Sequence, residues 1–163
     1  MTTAPLFDCD HAAFMQSGIS LHAASCGEDK LPSAARALGC RISDDRLNVR
    51  VLVSKTQAAQ LLADVSRSGA LAVVFSKPST HRTLQLKGRD AVAGAADADD
   101  LRVAARYREA FVAETSALGH PAHLIDTMFD IPPDDIVALS FTPDAAFSQT
   151  PGPQAGQALQ AQS

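Results

Sequence analysis

Residues 31–53 read LPSAARALGCRISDDRLNVRVLV, and this stretch decides the fold. Two runs of small and β-branched residues, Ala34–Ile42 and Leu47–Val53, flank a turn at Ser43–Arg46, where Asp accepts unusual backbone angles cheaply. So short a link cannot make a parallel crossover, so the two strands are antiparallel neighbours. Upstream, Cys26–Lys30 is a second turn. Before it, Ile19–Ser25 alternates, with Ile19, Leu21 and Ala23 on one side and Ser20 and His22 on the other. The three strands form a meander. A short helix near Asp10–Gln16, with Phe14 and Met15 inward, precedes them and stops at Gly18.

Downstream the period changes. Ser54 and Gln57 have the spacing of a capping box, and Ala58, Leu61, Leu62 and Val65 follow at helical intervals, up to a stop at Gly69. Leu71–Phe75 is almost wholly apolar, which predicts a strand buried on both faces. Lys77–Thr80 is a loop, and Thr83–Val92 a further strand. Acidic residues at Asp97–Asp100 suit the start of the longest helix, Leu101–Leu118. Gly119 and Pro121 interrupt it, a short helix covers Ala122–Phe129, and Pro132–Asp135 leads into a last strand, Ile136–Thr142.

About six strands with inserted helices make a mainly β, α+β chain. The helices do not alternate regularly with the strands, and neither G-x-G-x-x-G nor G-x-x-x-x-G-K occurs, so a small antiparallel barrel fits and a Rossmann fold does not. One domain is expected over residues 1–149. Residues 150–163 are rich in Gln, Gly, Pro and Ala with Leu159 as the one large apolar side chain, a composition that predicts disorder.

Composition narrows the function. Hydrophobic residues make up 46 % and charged residues 20 %, enough for a core, yet there is one Tyr, seven Phe and no Trp. The interior must therefore be built from Leu, Val, Ile and Ala. A net charge of −4 argues against nucleic acid, whose phosphates need clustered cations. No window approaches the roughly 20 apolar residues of a membrane span, and Met1–Asp10 lacks the pattern of a secretory leader. Cys9, Cys26 and Cys40, odd in number and widely spaced, fit reduced thiols in the cytoplasm. His120 and His123 have no third ligand, Cys9-Asp10-His11 is no better, and no metal site is expected. Asp134 and Asp135 read as a solvated cap, and no Ser has a His/Asp arrangement around it. Cations and hydroxyls gather in three segments instead: Arg36 and Arg41; Lys55, Thr56 and Gln57; and Arg82 with Thr83. Brought together, they would cradle a phosphate.

These segments resemble the pyridoxamine-phosphate-oxidase-like, FMN-binding split-barrel family over roughly Phe14–Thr142, most closely over Leu31–Gly88. In that family a P-S-A-R segment with a Lys five residues after the Arg reaches the flavin. Here Pro32-Ser-Ala-Ala-Arg36 has one extra residue, and Arg41 takes the Lys place. An S-R-K helix start binds the FMN phosphate; Lys55-Thr-Gln57 stands there without the basic pair. R-Q-V-x-V-x-G places a Gln near the ring; Arg82-Thr-Leu-Gln-Leu-Lys-Gly88 matches its outline, with Thr83 for Gln. The resemblance implies an antiparallel split barrel, FMN as cofactor at a homodimer interface, and Arg36, Arg41, Lys55, Thr56, Gln57, Arg82 and Thr83 as its contacts. The family's Arg- and His-bearing C-terminal substrate segment is missing, so pyridoxamine-phosphate oxidation is not expected. An FMN-dependent oxidoreductase is one reading. A flavin- or haem-binding protein without turnover is the alternative, since His22 and His81 are the only evident acid–base groups. A structural dimer that has lost the flavin is the third. The sequence names neither substrate nor electron donor.

Overall fold

A computed structural model describes residues 4–160; the expectations for 1–3 and 161–163 lie outside the described residues. Its elements, in order, are α1 (Cys9–Met15), β1 (Ser20–Cys26), β2 (Pro32–Ile42), β3 (Val49–Ser54), α2 (Ala59–Ser68), β4 (Leu71–Ser76), β5 (Thr83–Gly88), β6 (Val92–Ala95), α3 (Ala98–Ser116), α4 (Ala122–Met128), a 3-10 turn at Pro133–Asp135, β7 (Ile136–Phe141), β8 (Ala145–Ser148) and β9 (Gln157–Ala158). The strands run in the order β6-β7-β3-β2-β1-β4-β5-β8-β9, every pair antiparallel.

The expected meander is present as β1–β2–β3, and β2 is its pivot. Its first half pairs with β1, His22 opposite Arg36; its second half pairs with β3, Arg41 opposite Arg50. The register shifts between Ala37 and Cys40, where Gly39 has φ +127°. This bulge bends the strand out of one half-sheet (β1, β4, β5, β8, β9) into the other (β3, β7, β6), which is how bulges turn barrel corners. A Cβ on Gly39 would lie 3.2 Å from both Tyr107 Cβ and Val103 Cγ1 on α3, so the glycine also sets how closely that helix approaches. The two outer strands, β6 and β9, are not joined to each other. Side-chain packing draws the halves together instead, with Gly88 at the end of β5 lying under the Phe141 ring at the end of β7.

The inward faces form one core. Leu21, Ala23, Ala37, Val51, Val53, Val73, Phe75, Leu86 and Leu139 are all buried, joined by Phe14 and Met15 of α1 and Leu61 and Val65 of α2. Each large side chain contributes roughly 1.5–3 kcal/mol by leaving water. Alanines at Ala23, Ala35 and Ala37 let the strands close without aromatic bulk.

Several expectations need correction. β4 is buried on one face only, Leu71, Val73 and Phe75 inward and Ala72, Val74 and Ser76 half-buried, because no helix among the described residues covers its other side. The strand expected over Thr83–Val92 ends at Gly88; the chain turns and re-enters the other half-sheet as β6. Ser54 and Gln57 do not cap α2. The Ser54 hydroxyl accepts the Gln57 amide at 3.1 Å in a turn one step before the helix, and α2 starts behind Ala58, which makes no side-chain cap. Gly69 (φ +65°) does end it. Among the described residues nine strands stand where about six were expected, since β6, β8 and β9 are too short to carry a pattern. In the segment read as a tail, Gln157–Ala158 pairs with β8, and Leu159 packs against the core.

The acidic start of α3 binds it to the barrel. Asp97 and Asp100 form a capping box, and the buried Asp100 carboxylate accepts from Arg50 Nε at 2.8 Å and Arg41 Nη1 at 2.9 Å. Burial pushes the Asp100 carboxyl up, but Arg50, the Asp97 amide and Arg41 overcome this and hold it below the ordinary carboxylate value. Its contribution is therefore present above that ordinary value and lost as pH falls through the depressed one. Asp100→Asn should destabilise the fold by about 3 kcal/mol, because it leaves two guanidiniums facing a neutral group; urea unfolding at pH 7 checks this. Gly39→Ala should cost about 2 kcal/mol from the positive φ alone, read as a lower midpoint with unchanged slope.

Candidate functional site

The alternation of the first half-sheet leaves its outer side uncovered. Cross-strand register lines up Arg36, His22, Val74, Gln85 and Phe147 in one row. Ala34, Ala24, Ala72, Lys87 and Ala145 form the next, and Ser20, Ser76 and Thr83 the row on the other side. These residues are half-buried or exposed and alternate with buried ones such as Leu21, Ala23, Ala35, Val73, Leu84, Leu86 and Ala146. The result is a shallow face of small side chains with polar groups along one line. At one end it deepens into a groove of about 490 Å³ between Ala24, Ala72, Ala145 and Phe147, with the Lys87 ammonium 5.2 Å from the Phe147 ring centre. That volume falls in the ordinary range of small-molecule sites.

Arg36 stands at the β2 end of this face. Its guanidinium carbon lies 5.8 Å from the centre of the Phe129 ring, and among the described residues it meets no carboxylate. A half-buried cation with no counter-charge is the arrangement that an anionic ligand completes. Beside it, the His22 imidazole, exposed at its edge, is held below its usual pKa, first by desolvation and then by the Arg36 charge.

The other expected contacts are dispersed or already engaged. Arg41 points outward like Arg36, although the two are five positions apart, because the Gly39 bulge reverses the alternation. Its guanidinium is bound by Asp97, Asp99 and Asp100. At the turn after β3, Asp135 fills the place of an anion. The Thr56 amide (3.1 Å) and hydroxyl (2.6 Å) and the Ser54 hydroxyl all donate to its carboxylate. These hydroxyls hold the Asp135 carboxyl below its ordinary value. Asp135 is thus the cap that its neighbourhood in sequence suggested, but it caps a turn 79 to 81 residues upstream. Lys55 and Gln57 are exposed. Arg82 is exposed at the rim of the other side of the sheet, its guanidinium 4.3 Å over the Phe14 ring. Thr83 does share the face with Arg36, and its hydroxyl meets Ser76 at 2.8 Å. Gln85 and Phe147 were not singled out in sequence; the polar alternation of Thr83, Gln85 and Lys87 is the signal for the first, and Phe147 carries none. His81 is an exposed loop residue with φ +59°.

An anion fits at Arg36 and a planar ring fits the alanine-lined face. The turn at Ser54–Gln57 does not fit a phosphate while Asp135 occupies it. Among the described residues no group of three His, Cys, Asp or Glu side chains could hold a metal ion, and no helix is long and apolar enough to cross a membrane. Removing the Arg36 charge should relieve like-charge repulsion on the imidazolium, so the His22 pKa should rise in Arg36→Ala. An NMR titration of the His22 ring protons measures this.

No protein-family model matches the chain, and no curated protein is significantly similar to it. Solved structures are. HupZ of Group A Streptococcus is 14 % identical, over 92 % of this chain and 99 % of that one, with a TM-score of 0.56. A pyridoxamine 5'-phosphate oxidase-related, FMN binding protein of Nostoc punctiforme is 15 % identical, over 94 % and 89 %, with a TM-score of 0.51. An F420 reductase is 18 % identical, over 82 % and 93 %, also with a TM-score of 0.51. The chain has the antiparallel split-barrel fold of the pyridoxamine 5'-phosphate oxidase-like, FMN-binding proteins.

Proposed function

We propose that the protein binds FMN on the open face of the first half-sheet and works as a homodimer, its partner subunit covering that face. The observation that carries this reading is Arg36, a half-buried guanidinium without a carboxylate on a sheet face of alanines and other small residues. Arg36 would hold the anionic part of the cofactor. Thr83 and Gln85 would offer hydrogen bonds along the same face, and the alanines would lie against the ring. Lys55 adds positive charge near the strand end that neighbours Arg36. Bound FMN supplies redox chemistry that side chains lack, and an FMN-dependent oxidoreductase is the activity this favours. His22, opposite Arg36 in the sheet, is then the group placed to exchange a proton at its imidazole nitrogen. Three free cysteines and the absence of charge clusters for nucleic acid favour a cytoplasmic protein acting on a small molecule.

The test is a titration of the purified protein with FMN and riboflavin. FMN is expected to bind at about one per subunit and more tightly than riboflavin. Arg36→Ala should weaken FMN binding roughly 10- to 100-fold, the equivalent of one charge-assisted hydrogen bond, while far-ultraviolet dichroism is unchanged. Equal affinity of the variant and the natural protein would remove Arg36 from the site. Light scattering should give twice the subunit mass; a monomer with flavin bound would refute the shared interface.

A further inference from the structure

The outer side of the second half-sheet, unlike that of the first, is roofed by α3 and α4, and the roof does not fill the space beneath it. A cavity of about 390 Å³ remains, walled by Leu38, Leu101, Ala104, Phe129, Ile131 and Ile136. Its walls are preformed. Phe129 is wedged edge-on by Tyr107 (5.6 Å, 73°) and Phe111 (5.3 Å, 66°). Arg108 clamps α4 over the opening, donating to both Asp126 carboxylate oxygens at 2.6 and 2.8 Å and to Asp130 at 3.0 Å.

The charges at the mouth choose among ligands. The guanidinium of Arg108 is fully engaged with Asp126 and Asp130, two carboxylates for one cation. Glu109, one position along α3, adds a third and has no ion-pair partner among the described residues. Among the described residues the nearest unengaged cation is Arg36, 5.8 Å from the Phe129 ring centre and not itself in the lining; with it counted, three carboxylates still face two guanidiniums, so an anionic ligand would meet net negative charge. A cation would be drawn in, because complementary charge at a rim sets the choice of partner, and an apolar body gains by leaving water.

We propose that this cavity binds a small organic amine, its apolar ring or chain between Leu38, Ala104 and Phe129 and its ammonium at Glu109. This cavity shares no lining residue with the groove on the open face, although its Phe129 wall also meets Arg36, and it does not depend on flavin. The test titrates the full-length protein, without added flavin, with 2-naphthylmethylamine and with 2-naphthoate, following naphthalene fluorescence. The amine is expected to bind at least 10-fold more tightly than the carboxylate. Glu109→Gln, an exposed position that leaves the core untouched, should reduce that preference several-fold. Ala104→Trp should fill the cavity and abolish amine binding with FMN affinity retained. Equal binding of amine and carboxylate to the natural protein would overturn the proposal, as would amine binding that neither variant alters. So would an absence of amine binding together with loss of the dimer in Ala104→Trp, which would make the second subunit the occupant.

Discussion

Much of this structure depends on the break in β2 at Gly39. A regular strand of eleven residues would keep one set of partners and one alternation throughout. With an extra residue in a conformation that only glycine adopts easily, the strand serves β1 with its first half and β3 with its second. The core then lies between two half-sheets instead of under one. The same break keeps Arg36 and Arg41 on the outer side, and it brings α3 to within van der Waals distance of the strand backbone.

The two arginines share a strand and a side, yet differ in their electrostatic surroundings. Arg41 meets the acidic first turn of α3, where Asp97 and Asp100 are already fixed as caps, so its charge is spent on holding the helix. Arg36 meets an aromatic ring and a histidine, and no carboxylate among the described residues. The turn after β3 repeats the contrast, since its donors are saturated by Asp135. Cations and anion-binding backbone alone do not identify a site; what matters is which of them the rest of the fold has left without a counter-charge.

The helices are placed asymmetrically. α3 and α4 cover the outer side of β2's second half and its neighbours, and no element among the described residues does the same for β1, β4 and β5. A sheet face built from Ala24, Ala34, Ala72, Val74 and Ala145 costs little to expose, which explains how a single chain tolerates it. It also lets a planar or sheet-like surface approach closely. The covered side holds a cavity with acidic edges, so the protein presents two chemically distinct surfaces on either side of Arg36.

The sequence by itself determined the order of the longer elements and their antiparallel, barrel-like pairing, but not the short strands β6, β8 and β9. Alternation in Ile19–Ser25, the short turns at Cys26–Lys30 and Ser43–Arg46, and the helical spacing of Leu61 and Val65 are local signals, written within a few residues of where they act. The start of α3 at its acidic cluster and the end of α2 at Gly69 were legible for the same reason. Tertiary structure alone decided where the charges went. Whether Arg41 reaches a ligand or Asp100 depends on the packing of a helix 59 residues away, and whether Thr56 faces an anion from outside depends on Asp135, 79 residues on. The one-sided burial of β4 was equally hidden, because an apolar run records what a strand tolerates and not which neighbour covers it. Counter-charges and coverings are long-range facts, and no local pattern encodes them.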